Sequence, residues 1–261
     1  MEKKLPVVYS PIIKSRTPYA NLLSIAENHD QYMNWVAENF IQLINIKLND
    51  SNADIIYHLP HDSRFFLIHH VLSAQNHICP FLKVFTAPYN EPSDWNISIK
   101  DYIKLMIDRG FYIYMGLDKS KYNHQFEKFT PHEGLIYGYN DLTQSFYMLD
   151  YKNAYYDSFE VGYNDLIKAH QEIIAMSNFG NVPAINFFNM GINKIKYIKD
   201  LDYSFSLHNI KRYLIDYLTT EKTNSDYSRF YNNSTFSFGI TCYQLLIQVW
   251  KNYINSGNDA E

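Results

Sequence analysis

Between Gly110 and Tyr151 the chain reads GFYIYMGLDKSKYNHQFEKFTPHEGLIYGYNDLTQSFYMLDY, and this block limits the fold more than any other stretch. Its runs FYIYMGLD (111–118), GLIYGYND (134–141) and SFYMLDY (145–151) are rich in aromatic and aliphatic residues that suit a pleated, half-buried surface. The last two are separated by a short polar turn and read as a hairpin. Three successive strands of this kind require an antiparallel sheet, and a sheet requires a second layer to bury its apolar face.

Helical spacing on both sides supplies that layer. From Tyr19 to Leu48, apolar residues fall at Leu22, Leu23, Ile25, Ala26, Met33, Val36, Phe40, Leu43 and Ile44, which predicts two helices broken near Asn28-His29-Asp30. Ser63–Gln75 and Tyr163–Met176 also read as helix, and Ser98–Arg109 as an amphipathic helix closed by Gly110. Two more helices are expected at about 205–220 and 237–255, flanking the polar, loop-like TTEKTNSDYSRFYNNST. Short strands are expected at 54–58, 81–86 and 183–190, and the Pro-interrupted residues 5–13 read as an edge strand or packed arm. Helix, then mixed β, then helix is the order of an α+β fold with helices on an antiparallel sheet. The expected organisation is a domain over 1–180, a C-terminal strand and helical extension over 181–255 packed on it, and a disordered tail over 256–261.

Charge and cysteine content exclude several function classes. A net charge of -4 without a long Lys/Arg run argues against a nucleic-acid partner, because phosphate binding needs a basic face. No stretch approaches the roughly 18 apolar residues of a membrane span. The opening MEKKLPVVYSPIIKSR lacks the long apolar centre of a secretory signal, so the expected location is cytoplasmic. Two cysteines, Cys79 and Cys242, allow neither a disulfide framework nor a multi-cysteine zinc site. His58, His61, His69, His70 and His77 are dense but match no common zinc spacing, so they read as mixed surface and core histidines. No metal and no cofactor are expected.

The chemistry-bearing pair is His132 and Asp150. His132 follows Pro131 and opens a strand, and Asp150 closes the strand that returns beside it. Such positions meet at one end of an antiparallel ladder, where a carboxylate fixes the orientation and raises the basicity of an imidazole. The bland alternative is a strand-start histidine and a turn aspartate. A general base needs a nucleophile beside it, best placed at a helix N-terminus, where the dipole favours negative charge.

The pieces GFYIYMGLD, HEGLIYGYND and FYMLDY resemble the papain-like fold of bacteriocin-processing peptidases, and more closely the cysteine-peptidase-like acyltransferases of butirosin biosynthesis. In that family a strand ending in Asp leads to an H-x-x-x-x-x-G-Y-D strand and then to a strand ending in Asp. FSFGITCYQLLIQVW (236–250) looks like the family's closing helix. The resemblance implies a papain-like α+β domain with His132 as base and Asp150 as its orienter. It also implies a nucleophile at the start of the first long helix, in a pattern like C-Y-x-A-x-L-x-S-I-L. Over TPYANLLSIAE that pattern places Thr17 where the cysteine would stand, with Ser15 and Pro18 as neighbouring occupants, and none of these is a thiol.

Each further candidate carries two readings. Thr17 or Ser15 is a nucleophile, or an N-cap ahead of Pro18. Tyr19 and Arg16 would fill the cleft mouth. Cys79 is a nucleophile or a buried structural thiol, and Cys242 falls in the apolar stripe of the last helix. Asp118 lines the cleft or starts a turn, and Tyr151, Tyr155 and Tyr156 line a ligand groove or pack half-buried. Tyr139, in the G-Y pair of the resembling strand, is expected on the substrate side with Ser15, Tyr19, Asp118 and Tyr151.

The function implied is a protein of peptide or natural-product biosynthesis that binds an acyl or peptidyl group in a papain-like cleft without a Cys nucleophile. The implied partner is an acyl or peptidyl carrier protein or a small peptide-like substrate, and a homodimer stays open. One alternative is a working acyltransferase, hydrolase or cyclase with His132 as general base. The other is a non-catalytic interaction or scaffold subunit.

Overall fold

A computed structural model of the chain describes residues 1–14, 17–48, 63–68, 79–152, 155–177, 191–219 and 234–244, with single positions at 247 and 251. The fold is α+β, built around a seven-stranded antiparallel sheet. Two compact units divide the chain. Unit 1 is Met1–Tyr32 with Leu72–Asp202, and unit 2 is Met33–Val71 with Tyr203–Glu261.

Unit 1 holds β1 (Glu2–Lys4), α1 (Thr17–Ala26), β4 (Leu82–Ala87), α3 (Glu91–Asp94), α4 (Ile99–Asp108), β5 (Phe111–Asp118), β6 (Pro131–Asn140), β7 (Ser145–Lys152), β8 (Tyr155–Gly162), α5 (Tyr163–Ser177) and β9 (Ile192–Tyr197). The sheet runs β4-β9-β5-β6-β7-β8, and β1 joins β6 where β5 has left it. A bulge between Ile136 and Gly138 shifts the β6–β7 register part-way along the hairpin. Ile113, Met115 and Leu117 of β5, with Ile136 and Met148, form one core with Ile103, Met106 and Ile107 of α4 and Leu166, Ala169 and Ile173 of α5. Helix α4 shows why its sequence folds locally. Ser98 caps it by accepting from Asp101 N–H at 3.0 Å, and Gly110 takes a φ of 76° just past its end. Residues 5–13 are a packed arm rather than a strand, since Val8 N–H donates to the Ser24 carbonyl of α1 and Tyr112 hydroxyl to the Pro6 carbonyl.

Unit 2 holds nearly all of α2 (Tyr32–Asn39), together with β2 (Gln42–Leu48), β3 (Ser63–Ile68), α6 (Leu207–Thr219) and β10 (Ser234–Phe238). Its three-stranded sheet runs β10-β2-β3. Glu38 of α2 accepts from Tyr203 hydroxyl at 2.8 Å, Ser206 N–H at 2.9 Å and Asn209 Nδ2 at 2.6 Å, which ties α2 to the start of α6.

The structure corrects the sequence reading in several places. The helix expected to reach Leu48 stops at Asn39, and 42–48 is a strand between two others. Leu43 and Ile44 continue the helical spacing, but QLINIKL also alternates with β-branched residues, and strand pairing prevails. Likewise 63–68 of the expected helix Ser63–Gln75 is β3. Strands β8 and β9 were not expected, and 237–238 belongs to β10 rather than to the last helix, whose helical turn starts at 241. The expected strands at 54–58 and 183–190 and the tail 256–261 lie outside the described residues. Among the described residues no helix is long and apolar enough to cross a membrane.

Candidate active site

The register Leu135↔Leu149 sets Gly134 opposite Asp150, so His132, two residues before Gly134, lies diagonally across from Asp150 on the same face of the β6–β7 pair. The side chains meet there. His132 Nδ1 is 3.0 Å from Asp150 Oδ1 and 3.1 Å from the Glu133 carbonyl oxygen. Both neighbours are acceptors, so Nδ1 carries the proton and Nε2 of the neutral ring is left bare. That Nε2 lies 3.5 Å from Thr17 Oγ1, at the first residue of α1. The His132 side chain is 20% exposed and Asp150 fully buried, so the imidazole is reachable while its orienter is not.

Asp150 is held on all sides. Oδ1 also accepts from Tyr151 N–H at 2.6 Å, and Oδ2 faces Lys119 Nζ at 2.9 Å and Tyr122 hydroxyl at 3.5 Å. Burial works against the imidazolium, but the hydrogen bond to Asp150 and its charge outweigh it. His132 therefore titrates above its ordinary value, against an opposing pull from Lys119. Burial, then the Asp150 charge, push the Tyr122 phenol well above its usual range and keep it a donor.

The structure thus brings Thr17, His132 and Asp150 together, and Tyr151 beside them. Tyr151 hydroxyl donates to the Lys14 carbonyl and its ring meets Tyr156 edge-on at 5.4 Å, so it pins the N-terminal arm. Of the other tyrosines weighed for a ligand groove, Tyr156 is buried with its hydroxyl on Asn21 Oδ1 at 2.8 Å, and Tyr155 is exposed. Three expected substrate-side residues are buried. Asp118 is fully buried and binds the two ends of one loop, accepting from Ser120 N–H at 3.1 Å and Thr130 N–H at 2.8 Å. Tyr139 lies seven residues along β6 from His132, about 23 Å away at strand rise, with its hydroxyl on Asp108 at 2.9 Å. Tyr19 is buried two residues after Thr17 in α1. Ser15 and Arg16 lie outside the described residues, as do His58, His61, His69, His70 and His77.

Both cysteines, Cys79 and Cys242, are buried. Burial pushes the Cys79 thiol up to about 12, which leaves no thiolate at neutral pH. Among the described residues no group of three or more His, Cys, Asp or Glu side chains is placed to hold a metal ion. Lys119 and Tyr122 were missed by the sequence reading, because a lysine and a tyrosine in the polar run KSKYNHQ look like solvated loop residues.

No protein-family model matches the chain, and comparison with curated proteins found no match.

Proposed function

We propose that the chain is an acyl-transfer protein of papain-like organisation in which His132, oriented by Asp150, is the general base at the N-terminus of α1. The observation that carries this is the line Thr17 Oγ1, His132 Nε2, His132 Nδ1, Asp150 Oδ1, with separations of 3.5 Å and 3.0 Å. Helix start, then histidine strand, then aspartate strand is also the chain order of the family that the sequence resembles. The bare Nε2 takes the proton of an attacking hydroxyl as the new C–O bond forms at the acyl carbon, and returns it to the leaving group. The N-terminus of α1 favours the negative charge that develops on the acyl oxygen. The substrate class is an acyl or peptidyl thioester, presented free or on a carrier protein in the cytoplasm.

The hydroxyl facing His132 is that of Thr17, so Thr17 is the acyl acceptor in this reading. A second reading is that the cleft only binds the acyl group, and the absence of a thiol at Thr17 favours it. Intact-mass spectrometry after incubation with acyl and peptidyl thioesters separates them, using wild type, Thr17→Ala and His132→Ala. A wild-type adduct that maps to Thr17 and is absent from both variants supports acyl transfer through Thr17. Thiol release that survives Thr17→Ala but not His132→Ala transfers the attack to an external acceptor with His132 still the base. No adduct and no release in any protein leaves the binding reading.

A further inference from the structure

The two oxygens of Asp150 have different neighbours. Oδ1 serves His132 Nδ1 and Tyr151 N–H, while Oδ2 faces Lys119 Nζ at 2.9 Å and Tyr122 hydroxyl at 3.5 Å. Lys119 Nζ also donates to the Tyr151 carbonyl at 2.5 Å and sits 5.6 Å from the centre of the Phe126 ring. Its side chain is 5% exposed. Lysine is almost never buried to that degree without a partner, and here its partner is the carboxylate that orients the histidine.

On the reading that His132 is the general base, we propose that Lys119 is a positioning residue of the site. Its ammonium pins Asp150 Oδ2, so Oδ1 is the oxygen presented to His132, and its positive charge offsets part of the field by which Asp150 favours the imidazolium. The charged groups acting on His132 are Asp150 from β7, Glu133 from β6 and Lys119 from the turn that follows β5, and Lys119 is the cation among them. Without it the histidine would hold its proton more tightly, and less of the free base would be present at neutral pH. A general base works best when its pKa lies near the working pH, so the lysine trades some basicity for population of the active form.

Nitrogen-15 NMR of the imidazole tests this without any substrate. In Lys119→Met the His132 titration midpoint should move up by about one unit, a tenfold gain in proton affinity. In Lys119→Arg it should stay near the wild-type value. An unmoved midpoint in Lys119→Met overturns the proposal. Should that variant not fold, the wild type alone decides. The Lys119 Nζ resonance should titrate with the His132 midpoint, since both act on one carboxylate, and a lysine signal indifferent to that midpoint overturns the proposal equally. If the coupling is present but no thioester is turned over, the general-base reading fails while the electrostatic link stands. If turnover depends on His132 but the coupling is absent, the lysine is only a buried counter-ion.

Discussion

Removing Asp150 should cost far more than one hydrogen bond. The carboxylate is fully buried and faces His132 Nδ1 at 3.0 Å, Tyr151 N–H at 2.6 Å and Lys119 Nζ at 2.9 Å. In Asp150→Ala the Lys119 ammonium, 5% exposed in the native protein, keeps the Tyr151 carbonyl as a hydrogen-bond acceptor but loses its counter-ion. Breaking a buried pair by deleting one partner typically costs about 3–5 kcal/mol, because a charge is left uncompensated. Replacing both partners removes the charge as well, so Asp150→Ala with Lys119→Met should be less damaging than Asp150→Ala alone. Hydrogen exchange of the β6 and β7 amides, read by mass spectrometry, reports unit 1 without interference from unit 2. The reasoning is refuted if Asp150→Ala costs less than about 1 kcal/mol, or if the double variant is no better than the single.

Three further outcomes follow from titrating groups. As general base His132 must be neutral, so thioester turnover should rise with pH through a midpoint above 6.5, and a bell centred below that value would contradict the assignment. Burial drives His170 of α5 down to about 4, so between 4 and 6.5 the unfolded chain binds the extra proton. Its share of stability is complete above 6.5 and is lost as pH falls, reaching about 3 kcal/mol near pH 4. His170→Phe should flatten that part of the stability–pH curve, and an unchanged slope would refute it. Cys79 should resist iodoacetamide in the native protein at neutral pH, since its thiol is pushed up to about 12; stoichiometric native alkylation with loss of turnover would reopen a cysteine mechanism.

The parts of the fold legible in the sequence are those whose local signals agree with their packing. Strands β5 to β7 carry dense aromatic and aliphatic runs, and α4 has a Ser98 cap, an apolar stripe and a closing Gly110. Strand β9 was hidden because INKIKY is half polar and pairs with Leu82–Ala87, far away along the chain. Strand β8 was hidden because YYDSFEVG lies on the sheet edge, with Tyr155, Asp157 and Glu160 facing water. In the site, His132 and Asp150 were readable from their places at strand ends. The role of Lys119 was not, since nothing local says that a lysine after a strand will turn inward onto a carboxylate 31 residues later. Of the two readings open for Asp118 the structure takes the turn, as its oxygens are spent on the loop that carries Lys119.

The most direct test is the rate of thiol release from a thioester substrate by wild type and His132→Ala, compared above the His132 midpoint. The account predicts a loss of about 10²–10⁴-fold in the variant, the range that a positioned general base contributes. Equal rates, or no release by wild type from any acyl or peptidyl thioester, would contradict it.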